Sequence, residues 1–265
     1  MVARPQTAQP WHPVAAAVAC VGMVLFGLFA HAGLPRRIAS FAGLAMAAGA
    51  IGVSLRRTPS AALFGIPRLS RALAAWAAAG CALGCGLGVL FRMHVDGSYI
   101  PASLGSFVIV AVLIGAAEEL LYRGYVQGQL ASLGRQRCFS DVRGGSPHPP
   151  RESAGSPRVQ AAIGAAAAES RRARCETCAF VLGWPAAVAI AAAGHTLYKC
   201  GLFVFPPEGA AIDLAALACM TFFGGLAFGV LRHLSGGVLS PVLAHAVFDL
   251  LVYGDRMQAP WWVWG

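Results

Sequence analysis

The sequence predicts an all-α protein, a polytopic transmembrane helical bundle of about seven spans, within a range of about six to eight. Three observations predict it. Of 265 residues, 57% are hydrophobic and only 12% charged, and the mean hydropathy of +0.64 lies outside the range of soluble domains. The apolar residues gather into runs of about 17–25, the length that crosses a hydrocarbon core. The basic residues, 19 Arg and a single Lys in a net charge of +9, sit between those runs and form no stripe with interleaved aromatics. That placement sets nucleic acid aside as a partner and makes the charges topology signals.

In chain order, residues 1–13 form a polar leader with Arg4 and His12. The first run, Val14 to Leu34, is too long for a signal-peptide core and is followed by others, so it reads as a retained signal-anchor helix with His31 at the interface. The second, Ile38 to Leu55, is rich in Ala and Gly, which let helices approach closely. A basic connector over 56–71 (Arg56, Arg57, Arg68, Arg71) leads to a third run, Ala72 to Phe91. A loop through His94, Asp96 and Pro101 precedes the fourth, Ser106 to Leu130. Residues 135–176, with eight Arg and four acidic residues, have too little to bury and are expected to be disordered, apart from a helical turn or two over 161–170. Further spans are expected over Thr177 to Leu197 with His195, Ala210 to Leu231 with Asp213 near its start, and Gly237 to Tyr253 with His245 and Asp249. The closing Trp-rich stretch is an interfacial anchor.

This divides the chain into N-terminal membrane helices (1–102, about three spans), a segment carrying the chemistry (103–254, interrupted by the insert 135–176) and a tail (255–265). With a cytoplasmic N-terminus, the cytoplasmic side collects 14 positive residues and the other side 5 (Arg36, Arg37, Arg92, Lys199, Arg256), a bias carried mostly by the insert. A re-entrant stretch near 199–207 would make an eighth span. The Ala-, Arg- and Gly-heavy composition argues for a bacterial inner membrane. Of the 8 cysteines, Cys20, Cys81, Cys85, Cys200 and Cys219 lie in or beside runs and act as small apolar residues. Cys138, Cys175 and Cys178 with His148 have the composition of a weak zinc or redox site in the insert.

The fourth run is the unusual one, because it carries Glu118, Glu119 and Arg123 near its middle. A charge at the centre of a spanning helix costs ~2.5–3.5 kcal/mol, so these groups must find partners or line a wet cavity. Glu119 and Arg123, at i and i+4, can pair; Glu118 points elsewhere and is the carboxylate without a local countercharge. His195, and His245 with Asp249 at i and i+4, place ionisable groups on two other spans, and all must converge to be satisfied. A set of Glu, His and Asp with no Ser or Cys nucleophile beside a base points to water activation, with Glu118 taking the proton. The same set suits a divalent cation, and a plain salt-bridged lock between helices would use the same residues.

The stretches EELLYRG at 118–124, His195, FFGGLAFG at 222–229 and HAVFD at 245–249 resemble, in order, the motifs of the CAAX prenyl protease and bacteriocin-processing (CPBP, or Abi) intramembrane endopeptidases. The first motif, EExxxR, is matched in full, as is the last, a histidine followed four residues on by Asn or Asp. The resemblance runs from Phe107 to Leu251. It implies a helical membrane bundle with a polar cavity and hydrolysis of a peptide bond in a membrane-associated or C-terminal peptide. By that resemblance Glu118 is the general base, His195 positions the water, His245 and Asp249 stabilise the oxyanion, and Glu119 and Arg123 support them. No cofactor is implied, with zinc as the alternative; the partners are a peptide or protein substrate and the lipid bilayer. Three departures stand out. Ala191 replaces the usual phenylalanine four residues before the histidine and is expected to widen the cavity. Asp249 replaces asparagine and, when ionised, cannot donate to an oxyanion, so it must be protonated, orient His245 or favour a metal. The insert 135–176 exceeds the usual connector and is expected to be a regulatory or partner-binding arm. The alternatives are a non-catalytic membrane scaffold or bacteriocin-immunity protein of the same fold, a metal-dependent protease on the same cluster, and a transporter or proton relay, whose internal repeats the sequence lacks.

Overall fold

A computed structural model of the chain describes residues 11–33, 35–56, 58–66, 71–95, 97–132, 183–206 and 212–257. The leader before Trp11, the insert 135–176 with Cys138, His148, Cys175 and Cys178, and the tail after Met257 lie outside the described residues. Within them the chain is all-α. The helices are α1 (Trp11–Phe29), α2 (Arg37–Leu55), a short α3 (Ser60–Phe64), α4 (Arg71–Val95), α5 (Phe107–Glu119), α6 (Trp184–Leu202), α7 (Leu214–Ser235) and α8 (Leu239–Tyr253). After Glu119 the α5 rod winds on as a π-helical segment, Leu120–Val126, and then as ordinary helix to 132.

The protein is a helical membrane bundle. Among the described residues three helices, Arg37–Leu55, Ala72–His94 and Leu214–Ser235, are long and apolar enough to cross a bilayer, and Pro13–Phe29 and Leu239–Tyr253 are shorter apolar helices. The packing has the inverted pattern of a protein solvated by lipid. On α2 the buried positions are Ser40, Gly43, Ala47, Ala50 and Ser54, a stripe of small residues at 3–4 spacing, while Ile38, Phe41, Leu44 and Val53 face outward. In water that arrangement would be upside down; in lipid, close backbone approach between helices replaces the hydrophobic effect as the source of cohesion.

α1 packs on α2 and α6, α4 and α5 pack on α8, and α6 packs on α7. The α4–α8 crossing depends on Gly80 and Gly84, whose missing side chains leave room for the carbonyls of Ser240 and Ala244. At its C-terminal end α4 is tied to the end of α8. Arg92 donates to Asp255 through Nη2 (2.9 Å) and Nη1 (3.3 Å), to the Leu251 carbonyl (2.9 Å), and through Nε to Ser98 (3.0 Å).

Several boundaries differ from the sequence reading, each for a local reason. α7 begins at Leu214, not Ala210, because Asp213 is its N-cap and accepts from the amides of Ala215 (3.0 Å) and Ala216 (2.9 Å). The basic connector holds α3, which ends on Gly65 in the left-handed region (φ 66) and buries Leu63 beside Tyr125 and Val126. α4 runs on to Val95 and α6 to Leu202, so Arg92 and Lys199, counted above as loop charges, lie inside helices and form ion pairs there.

Candidate functional site

Three helices each supply two ionisable side chains one turn apart, a spacing that puts both on one face. The α5 rod gives Glu119 and Arg123, with Glu118 beside them; α6 gives His195 and Lys199; α8 gives His245 and Asp249. All six residues named from the sequence meet in one cluster. Glu119 and Arg123 are wholly buried, and Glu118, His195, His245 and Asp249 nearly so. Charges this far from water persist only when paired, and the pairing is extensive.

Arg123 holds the centre. Its Nη1 forms an ion pair with Glu119 Oε1 (3.2 Å) and donates to His195 Nδ1 (3.2 Å). A guanidinium can only donate, so His195 Nδ1 is the acceptor and the ring proton sits on Nε2, which donates to Glu118 Oε2 at 3.1 Å. Both nitrogens of His195 are therefore engaged, and Tyr122 packs against its ring at 4.9 Å. His245 donates from Nδ1 to Glu119 Oε1 (2.9 Å). Its Nε2 then faces Glu118 Oε2 at 3.9 Å and Asp249 Oδ2 at 3.8 Å, too far for direct hydrogen bonds. Gly115 makes that arrangement fit, since a Cβ there would run into Asp249 Oδ2 and come within 2.9 Å of the His245 ring.

Sequence reasoning missed Lys199. Its Nζ lies 2.6 Å from Glu118 Oε1, so Glu118 has a countercharge after all, supplied by another helix. Two signals were available: Lys199 is the chain's single lysine, and it follows His195 by four residues.

The cluster forms one wall of a half-enclosed cavity of about 510 Å³. Arg123, His195, Lys199, His245 and Asp249 line it, while Glu118 and Glu119 stand behind them. The remaining walls are mostly apolar, with Leu87, Phe91, Phe223, Phe228 and Phe248 among them, so the expected polar cavity is an apolar one with a single polar wall. The FFGG stretch contributes Phe223, Gly224 and Gly225, and Gly225 makes room for Arg123, whose Nη2 would lie 2.9 Å from a Cβ there. Ala191 does not widen the cavity. It is wholly buried in a cluster with Ala16 and Ala19 of α1 and Tyr125 of the π-helical segment, and is not among the residues lining the cavity.

Among the described residues no group of three His, Cys, Asp or Glu side chains is arranged to hold a metal ion. The donor chemistry agrees: His195 has no lone pair to offer, and both Glu118 oxygens already face cationic or N–H partners. Fold and site together define a class, an all-α membrane protein with a buried His/Glu/Asp ion network. No protein-family model, curated protein or solved structure matches the chain.

Proposed function

We propose that the protein is an intramembrane endopeptidase of the CPBP type, hydrolysing a peptide bond of a membrane-associated or C-terminal peptide with a glutamate-activated water. One observation carries this reading: Glu118 lies 3.1 Å and 3.9 Å from imidazoles of two other helices, behind the polar wall of a cavity otherwise lined by apolar side chains. Glu118 takes a proton from water, the water oxygen bonds to the carbonyl carbon, the C–N bond breaks, and Glu118 returns the proton to the departing amine. His195, held on both ring nitrogens, orients Glu118. His245, when doubly protonated, presents Nε2–H to the developing oxyanion, and Asp249, 3.8 Å from that nitrogen, balances its charge. Glu119 and Arg123 fix His245 and His195. The chemistry belongs to the 103–254 segment of a protein in a bacterial inner membrane with a cytoplasmic N-terminus, and the insert 135–176 serves as a regulatory arm.

The ion pair of Lys199 with Glu118 favours a second reading, a membrane scaffold or bacteriocin-immunity protein in which the network is a structural lock. The test is cleavage of a fluorogenic, membrane-anchored peptide by the purified protein in nanodiscs, with and without chelator. Glu118→Gln and His245→Ala are expected to lose at least ~10² in kcat/KM, the scale of general acid–base catalysis, and chelator is expected to change nothing. Full activity in Glu118→Gln would remove the assigned base. Chelator inhibition reversed by zinc would support a metal-dependent protease, and a folded protein that cleaves no peptide would support the scaffold.

A further inference from the structure

A lysine inside an apolar bundle needs a reason, because its ammonium gives up hydration that packing does not return. Lys199 is only 16% exposed, and its Nζ sits 2.6 Å from Glu118 Oε1 and 5.8 Å from the centre of the Tyr198 ring. With His195 donating to Oε2, both oxygens of Glu118 are occupied, an arrangement poorly suited to accepting a proton from water. The partners of Glu118 differ in one respect. His195 is fixed by Arg123 and Tyr122, whereas Lys199 ends a flexible four-carbon stem and lines the cavity. Glu118 itself is not part of the lining, so an anion in the cavity reaches the Lys199 ammonium before it reaches Glu118. On the same wall Asp249 repels a carboxylate, whereas Lys199 and Arg123 attract one.

The geometry points to Lys199 as an exchangeable latch on Glu118: a carboxylate carried by the substrate takes over the ammonium, and the freed Oε1 of Glu118 becomes the acceptor for the proton of the attacking water. This rests on the peptidase reading and gives it a substrate preference. The exchange replaces one ammonium–carboxylate pair by another in the same surroundings, so the desolvation that makes buried ions costly is not incurred again. An uncharged peptide offers no replacement partner and leaves the latch closed. The apolar walls take the uncharged part of the chain, and the carboxylate is either a free C-terminus or an Asp or Glu side chain.

The test uses the full chain in nanodiscs and three fluorogenic peptides of one apolar sequence: a free C-terminal carboxylate, the C-terminal amide, and the amide with one Glu added. Wild type is expected to prefer a carboxylate-bearing peptide over the plain amide by about tenfold in kcat/KM, Lys199→Arg to keep most of that preference, and Lys199→Met to reduce it to about twofold or less. The carboxylate peptide that is preferred identifies the source. Binding is read separately, without turnover. Glu118→Gln removes the competing carboxylate, so it should bind the preferred peptide about tenfold more tightly than the amide, and Glu118→Gln/Lys199→Met, which removes both charges, should bind the two alike. If Lys199→Met does not fold, Lys199→Arg and the binding pair still decide. Cleavage by wild type without discrimination, preference unchanged in Lys199→Met, or equal binding of both peptides by Glu118→Gln each overturn the latch alone. Absence of cleavage in every form overturns the peptidase reading and the latch with it.

Discussion

Removing both ends of the Lys199–Glu118 pair should destabilise the protein far less than the two single removals added together. At 2.6 Å and an effective dielectric of about 20, the gross attraction is ~6 kcal/mol, most of which offsets the desolvation of two side chains that are 16% and 5% exposed. Glu118→Gln leaves the ammonium facing a neutral amide that still accepts a hydrogen bond, which should cost about 2–3 kcal/mol. Lys199→Met leaves a carboxylate holding only the His195 N–H at short range, with a cost of about 2–3 kcal/mol as well. The double variant buries neither charge and should lose only about 2 kcal/mol, so the cycle closes with a coupling of about 3 kcal/mol. The assay is reversible unfolding in mixed micelles of increasing denaturing-detergent fraction, on all four forms at one lipid composition. A coupling below ~0.5 kcal/mol would mean that the two residues do not pair, and the account of the site built on that contact would fail.

The Arg92–Asp255 clamp gives a pH signature outside the spans. Hydrogen bonding from Arg92 holds the Asp255 carboxyl below its ordinary value, against a smaller opposing effect of burial. A depressed folded-state value means that the clamp's contribution is fully present above the unfolded carboxylate value of about 4 and is lost as pH falls through the folded one. Asp255→Asn should therefore cost about 1–2 kcal/mol at pH 7, and its stability curve should merge with that of wild type once the pH has fallen below the depressed folded-state value of Asp255. At the α4–α8 crossing, Gly84→Leu must push α4 away from the Ala244 carbonyl, at a cost of about 1–3 kcal/mol or more, and should lower peptide cleavage by displacing His245. Gly86→Leu, at an exposed position where an added Cβ meets nothing within 4 Å, is the control and should change neither stability nor cleavage.

The residues of the cluster were legible because membrane burial makes charge conspicuous. Glu118, Glu119, Arg123, His195, His245 and Asp249 stand out from an apolar background, and i,i+4 spacing correctly paired Glu119 with Arg123. The partners across helices were not legible. Glu118 looked uncompensated because its countercharge belongs to a residue assigned to a loop, and that assignment followed from ending the span at Leu197, five residues early. Hydropathy falls at Tyr198 and Lys199, whereas the helix continues because both side chains find buried partners inside the bundle. Asp213 misled in the opposite sense: it looked like a charge within a span and is the cap that starts one. The role of Ala191 turned on which face of α6 meets α1, a tertiary fact without a local signature.

The π-helical segment Leu120–Val126 sets a phase between two halves of one rod. Upstream, α5 leans on α8; downstream, the same rod leans on α1, α3 and α6. A π-helical turn carries about one residue more than the α-helical turn of the same rotation, so deleting a single residue between 120 and 126 would let it relax to ordinary winding with the paired glutamates still in phase with Tyr125, whose hydroxyl meets Ser54 at 2.7 Å, whereas adding one would swing the two apart by up to about 100°. After such an addition either the acids would leave the histidines or the tyrosine would leave its serine. The π-helical turn is thus one residue of slack in the rod, a place where the chain can shorten by one but cannot lengthen without parting the two contacts.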